Sequence, residues 1–517
     1  MVCTAVIRFK HSAANRDRRF AMKVRSRVKK WARKMRTWPP WRTASGDRSR
    51  EEEEESDDDD SITDNTTGSS GSTEPFLDPT AHITEEALVR LAITERKKFW
   101  LGDDDDITAT HSRIASGSFN RVRFISFSDG KEVCIRIPYC GYDPAWTAHD
   151  AVALRNQVLL LKYIKRKTNL PVPEILSYDA TLNNGIGTPY TIMNVIKGRE
   201  IQSVWHEGNG VVPLEGFRQH VLQSVANAMA ELRHLHFPKA GALHFPNDED
   251  GEPEIGNVWR PGSADREFGF EPEDYMSPPS DSSEVEIRKD LERWWNNECQ
   301  EPISHGAMAD MLKGIRMMYE LILDQFPFKH VVDQAGGERF SLKPPDFDWQ
   351  NILVDDEGNV TGFLDWDYTV TVPAFMGWCI YPYWLMEDWQ EEYSWPKEEA
   401  GWGISSSPDE LERYRNDYAR YMRAACGDQG DCRFTSKSHL YQTASAVLSA
   451  GSARTVEFME KVVWTVLPRV RTSLVLDRLG QHGWALGQKE YMSEKLRALF
   501  APENVGAPQT ETLVDVE

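Results

Sequence analysis

Between residues 107 and 140 the apolar residues recur at every second position, whereas beyond residue 217 they recur at helical spacing; this succession limits the fold more than any other feature of the chain. Val122-Arg123-Phe124-Ile125 and Val133-Cys134-Ile135-Arg136-Ile137 flank Ser128-Asp129-Gly130, which predicts two antiparallel strands joined by a turn. Ala151 to Lys167 then reads as a helix, with Leu154, Val158, Leu161 and Ile164 on one face and Pro171 and Pro173 beyond its end. Tyr190 to Ile196 predicts a further strand. Phe217 to Leu235, Met308 to Gln325, Leu411 to Ala425 and Ser438 to Leu467 carry longer helical patterns. Strands first and helices afterwards predict an α+β chain with a small β-rich lobe and a larger, mostly helical one.

Charge divides the chain in a second way. The 517 residues carry a net charge of −21, yet residues 1–50 hold 16 Lys and Arg against Asp17 and Asp47, so the first fifty are +14 and the rest −35. In the basic segment Val24, Val28, Trp31, Met35 and Trp38 form one stripe of an amphipathic helix that Pro39-Pro40 ends. A mitochondrial targeting segment, a helix on an anionic membrane surface, a nuclear import signal at Lys23 to Lys34 and a merely solvated tail all fit this pattern. The acidic runs Glu51 to Glu55 and Asp57 to Asp60 follow, so residues 1–80 are expected to form a disordered leader. A polar, Pro-rich insertion is expected at 245–288 and a fraying acidic tail at 504–517. No run of 18 apolar residues and no secretory signal occurs, and the seven cysteines include no CxxC; an intracellular, reducing location without a membrane span is expected. That location is mitochondrial if the leader targets, and cytoplasmic or nuclear otherwise. A body of −35 repels a phosphate backbone, so nucleic acid is not an expected partner outside the leader.

The chemistry concentrates in Asp346-Phe-Asp-Trp-Gln-Asn351-Ile-Leu-Val-Asp355 and Val360-Thr-Gly-Phe-Leu-Asp365-Trp-Asp367. Apolar runs on either side of a Gly-containing turn predict a hairpin with Asn351 at its entrance and Asp365 at its exit. Asp346 lies on a loop beside them. Three oxygen-bearing side chains converging at one end of a hairpin can hold magnesium and orient a hydroxyl nucleophile for phosphoryl transfer; solvated carboxylates at the ends of an ordinary hairpin are the plainer reading.

This spacing resembles the catalytic and metal loops of the protein-kinase-like fold, and Asn-Ile-Leu-Val-Asp with Leu-Asp-Trp-Asp is most similar to the aminoglycoside phosphotransferase family. Ala115-Ser-Gly117-Ser-Phe-Asn120-Arg-Val122 matches the glycine-rich phosphate turn in frame, with Ala and Asn at two of its glycines. Arg136 stands where the phosphate-pairing lysine of strand three would be, and Gln157 where its helical glutamate partner would be, able to accept a hydrogen bond from Arg136. Tyr190-Thr-Ile-Met193-Asn-Val195 resembles the interlobe hinge whose backbone binds adenine. Leu154 to Ile175 and Tyr381-Pro-Tyr-Trp-Leu385 resemble the large fungal branch of the family, some members of which are described as altered-inheritance-of-mitochondria proteins. The likeness runs over about residues 105 to 390.

The resemblance implies a bilobal kinase-like fold, with an N-lobe at 81–197 and a C-lobe at 198–503. It also implies an ATP-dependent phosphotransferase acting on a small-molecule hydroxyl. Asp346 would be the catalytic residue and Asn351 and Asp365 the magnesium ligands. The nucleotide would be bound by Ala115, Gly117, Asn120, Val122, Arg136, Gln157, Met193 and Val195. Arg for Lys, Gln for Glu, and Pro344 for a bracing histidine depart from the family pattern, and they keep open a pseudokinase that binds nucleotide or protein partners. Glu387-Asp388-Trp389-Gln-Glu391-Glu392 offers an anionic and aromatic surface for a cationic acceptor.

Overall fold

The computed structural model describes residues 80–502 except 101–105, 118, 247–250, 260–275, 301–306, 330–337, 391–392, 394, 396–405, 428–429 and 450–451. The leader up to residue 79, the acidic tail and the centre of the polar insertion therefore lie outside the described residues. The chain divides into two units, Met1–Ser72 with Pro261–Tyr275 and Thr73–Arg260 with Met276–Glu517, and every described residue belongs to the second.

The first lobe is a five-stranded antiparallel sheet in the order β1-β2-β3-β5-β4. Its strands are β1 (Ala109–Ser116), β2 (Asn120–Phe127), β3 (Glu132–Pro138), β4 (Ile175–Asp179) and β5 (Tyr190–Asn194). The β2–β3 turn places Gly130 at φ +81°, a left-handed backbone that residues with a Cβ rarely adopt. Alternation along β3 sends Val133, Ile135 and Ile137 into a core with Leu88, Leu91 and Ala92 of α1 (Glu85–Phe99), so Arg136 projects from the opposite face. On that second face α2 (Ala148–Lys167) packs Leu154 and Val158 against Ile175 and Met193. A capping box starts α2: Thr147 accepts from the Asp150 N–H while Asp150 accepts from the Thr147 N–H at 2.8 Å.

The chain leaves β5 at Asn194 and pairs again at β6 (Arg199–Glu200), which leads into the short α3 (Ile201–Val204) and α4 (Leu214–Met229). Next come β7 (Gly241–His244), β8 (Glu254–Gly256), β9 (Val258–Trp259), β10 (Met276–Ser277), α5 (Ser283–Gln300) and α6 (Ala307–Leu323). Then follow β11 (Phe340–Lys343), β12 (Ile352–Val354), β13 (Val360–Phe363) and β14 (Val370–Pro373). The chain closes with α7 (Pro408–Cys426), α8 (Ser438–Ala446), α9 (Ser452–Val466), α10 (Thr472–His482) and α11 (Gln488–Phe500). The large core of this lobe absorbs much of the tryptophan and tyrosine content, including Trp205, Trp378, Trp384, Tyr381, Tyr414 and Tyr418. The α+β succession expected from the sequence is the observed one.

Within the polar stretch expected at 245–288, β8 joins β7 in a four-stranded sheet, β9 pairs with β10, and α5 begins at Ser283. The anchorage of the stretch is long-range, because Arg155 donates to the Phe245 carbonyl at 2.7 Å and Arg166 to that of Gly251 at 3.1 Å. Strands of two or three residues among Pro, Gly and Asp leave no readable period. Ser438 to Leu467 is two helices rather than one, α8 giving way to a 3-10 turn at Val447–Ser449 before α9 begins at Ser452.

Candidate active site

The predicted hairpin forms. Strands β12 and β13 pair antiparallel, with Ile352 opposite Phe363, and the Leu364 N–H donates to the Asn351 carbonyl at 2.8 Å, closing the end where Asn351 and Asp365 meet. At the other end the Asp355 carboxylate accepts from the backbone N–H groups of Glu357 and Asn359 at 3.1 and 2.8 Å, so it is spent on the turn. The next strand after β5 joins this hairpin directly, because β6 pairs with β12.

Asp346 is exposed at the end of β11. The Asn351 amide donates to its Oδ2 at 2.7 Å and to its carbonyl at 3.0 Å, and Gln350 reaches the same Oδ2 at 3.2 Å. Both side-chain bonds land on one oxygen, Oδ2. Pro344 and Pro345 precede Asp346, and other groups hold the loop. Phe347 is buried against Phe363, its carbonyl accepts from the Tyr383 N–H at 2.9 Å, and Trp349 stacks on Trp384 at an interplanar angle of 10°. Asp348 begins the 3-10 turn at Trp349–Asn351 by accepting from the Trp349 N–H at 2.9 Å. Burial pushes the Asp348 carboxyl up to about 6, the backbone N–H of Trp349 pulling the other way and the negative Asp346 adding to the rise.

Across the cleft, Arg136 donates to Asp367 Oδ1 at 2.5 Å and to Asp365 Oδ1 at 3.2 Å. Burial works against the guanidinium charge, but the two carboxylates outweigh it and hold Arg136 above its ordinary range. Asp365 is raised by burial and by its neighbour Asp367, with Arg136 opposing. Its backbone sits at φ +55°, and Tyr368 at +58°; these are the two left-handed non-glycine residues among those described.

The remaining expected residues are placed as follows. The turn between β1 and β2 closes through Gly117 N–H to the Asn120 carbonyl at 2.9 Å, with Ala115 paired to Val122 across the two strands. Asn120 is the first residue of β2 and does not adopt the left-handed backbone that its place in the glycine pattern suggested; its amide instead reaches Asp367 Oδ2 at 3.4 Å. Gln157 lies half-buried on α2 and takes no hydrogen bond from Arg136, whose partners are the two aspartates. Met193 packs against α2, and Val195 follows on the link to β6.

The acidic surface expected to draw a cationic acceptor is partly consumed. Asp388 forms a two-pronged pair with the buried Arg415 at 2.6 and 3.0 Å, and Lys461 already lies 5.2 Å over the Trp389 ring. Glu391 and Glu392 lie outside the described residues.

Sequence reasoning passed over Asp348, Asp367 and the Phe119–Tyr368 edge contact at 6.4 Å. Asp367 stood within the quoted motif, but residues 364–369 lie between β13 and β14, so no strand period could mark its orientation. No group of three or more His, Cys, Asp or Glu side chains is poised for a metal among the described residues. The oxygen pair of Asn351 and Asp365 suits magnesium, a hard cation that is commonly bound through one or two protein oxygens together with substrate phosphates. Asp365 and its neighbour Asp367 already hold a cationic guanidinium, so the site attracts positive charge. A surface cleft of about 680 Å³ on α5, lined by Arg288, Lys289 and Arg293 among others, contains none of these residues.

No protein-family model matches the chain. It is similar to "Altered inheritance of mitochondria protein 9, mitochondrial" of Candida albicans SC5314, 28% identical over 194 residues, covering 34% of this chain. The match spans 30% of that relative's own length. Among solved structures it is similar to a putative aminoglycoside phosphotransferase from Ralstonia eutropha JMP134, with a TM-score of 0.38 and 14% identity over 80% of this chain and 98% of that one. It is also similar to a thermostable mutant of aminoglycoside phosphotransferase APH(4)-Ia in ternary complex with AMP-PNP and hygromycin B, with a TM-score of 0.34 and 14% identity over 77% and 99%.

Proposed function

We propose that this protein is an ATP-dependent phosphotransferase that moves a γ-phosphoryl group to a hydroxyl of a small molecule. The carrying observation is the convergence of Asp346, Asn351 and Asp365 at one end of a hairpin, with Arg136 reaching Asp365 from the opposite lobe. Asp346 Oδ1 accepts the acceptor's hydroxyl hydrogen, fixing its oxygen for in-line attack, while Asn351 holds the carboxylate through Oδ2. Arg136 binds phosphate oxygens as a permanent cation, and the backbone N–H groups of the 115–122 turn cover them. Met193 to Val195 supply the hinge backbone for adenine. Asn351 and Asp365 would hold magnesium, which when bound would neutralise negative charge on the transferred group.

A pseudokinase is the second reading, and one observation favours it: Arg136 is already neutralised by two carboxylates, while Gln157 offers no ion pair. Among the described residues no helix is long and apolar enough to cross a membrane. The name of the relative supports placing the protein in mitochondria, with the basic leader as its targeting segment.

Titrating the full-length protein with ATP, with and without magnesium, separates the readings. The enzyme raises its melting temperature on binding, hydrolyses or transfers phosphate, and loses the magnesium-dependent part of the shift in Asp365→Asn. Asp346→Asn keeps the shift and loses turnover by ~10²–10⁴-fold. No shift at millimolar ATP refutes the enzyme.

A further inference from the structure

Two carboxylates compete for one guanidinium at the centre of the site, and they do so unequally. Asp367 is the nearer partner of Arg136, 2.5 against 3.2 Å, and the better shielded, its side chain 14% exposed against 44% for Asp365. Both Asp367 oxygens are engaged, Oδ1 by Arg136 and Oδ2 by the Asn120 amide of the phosphate turn at 3.4 Å. Its backbone is fixed from beneath by Trp366, which is 3% exposed, donates from its indole N–H to the Phe363 carbonyl at 3.1 Å, and accepts from the Thr369 hydroxyl at 2.6 Å. Trp366 points into the core, while the side chains on either side of it both reach Arg136.

We propose that Asp367 is a positioning residue: it retains Arg136, so that Asp365 stays available for the magnesium that accompanies the nucleotide. The inference rests on the phosphotransferase reading and deepens it. On α2, Gln157 has no charge with which to hold Arg136. Without Asp367, the nearest anion left to the guanidinium is Asp365, which it already touches, and the cation would sit on the carboxylate that the metal needs. Asp367 therefore supplies from the hairpin the anion that the helix lacks. Its bond to Asn120 ties the phosphate turn to the same anchor.

The test measures ATP affinity of the full-length protein by calorimetry, once in EDTA and once in millimolar magnesium, for wild type, Asp367→Asn, Asp367→Glu and Arg136→Gln. If Arg136 occupies Asp365 for nine-tenths of the time in Asp367→Asn, the apparent affinity for MgATP falls about tenfold, while affinity for metal-free ATP stays within about twofold of wild type. Asp367→Glu, which keeps the anion, stays near wild type, and in an Arg136→Gln background Asp367→Asn has no further effect. Equal weakening with and without magnesium, or a loss that persists in the Arg136→Gln background, overturns the proposal by giving Asp367 a merely structural role. A wild type that binds ATP under neither condition overturns the phosphotransferase reading itself, and this proposal with it. Circular dichroism of each variant separates misfolding from these outcomes.

Discussion

Replacing Asp348 by Asn is expected to stabilise the protein at neutral pH, although it alters the loop that carries the proposed catalytic residue. Burial raises this carboxyl from its ordinary 3.8 to about 6, opposed by the Trp349 N–H and helped by Asp346. The sign follows from linkage: a carboxyl with a raised folded-state pKa stabilises the protein only while protonated, and that advantage is lost as pH rises from about 4 through 6. A shift of roughly two units at about 1.4 kcal/mol each sets a ceiling of about 3 kcal/mol above pH 7. About half of that is already lost at pH 5, and partial solvent screening lowers the whole figure, so about 1 kcal/mol should appear between pH 5 and pH 8. Asn is neutral throughout and keeps the oxygen that caps the Trp349 N–H. Urea midpoints of wild type and Asp348→Asn, measured at unit pH steps in EDTA, give the difference directly. A gain for Asn that grows from pH 5 to about pH 7 and then levels supports the argument. A pH-independent difference, or a less stable Asn variant at pH 8, refutes it.

Two further predictions concern packing. Arg415→Met leaves Asp388 beside an apolar side chain in place of its buried partner and should cost about 3–5 kcal/mol, read as a lower melting temperature. Helices α6 and α10 meet at glycines: a Cβ on Gly314 would stand 2.0 Å from the Leu476 carbonyl oxygen, and one on Gly480 1.7 Å from that of Asp310. Gly314→Ala should therefore destabilise by about 1–3 kcal/mol or more, since backbone must move, while Gly185→Ala, where a Cβ meets nothing, should leave the urea midpoint nearly unchanged.

What could be read in advance was local. The β2–β3 hairpin, α2 and the β12–β13 hairpin each carry their period and their turn within thirty residues, and each formed where the pattern placed it. The boundaries lay in caps outside the apolar period: α7 begins at Pro408 rather than Leu411 because Ser407 and Glu410 cap each other, and it ends at Gly427 with φ +68°. The strands β7, β8 and β11 were illegible because their partners lie ten to more than a hundred residues away and each is only three or four residues long.

The same limit explains the site. Gln157 reads as a loss when strand three is expected to pair with the helix that follows it, and counting departures from a pattern treats that loss as damage. In the fold, Arg136 keeps an anion, but it comes from Asp367, 231 residues further on. Pro344 likewise stands where a histidine would brace the loop, and the bracing comes from Phe347 in the core and the Tyr383 N–H. A missing side chain in a motif is therefore weak evidence of lost chemistry where another element can present the same charge or contact to the same atom. The decisive quantity is whether Arg136 and Asp365 remain separable. Their bond is the longer and more exposed of the two, and a cation competing for Asp365 need displace only one guanidinium nitrogen while Asp367 retains the other.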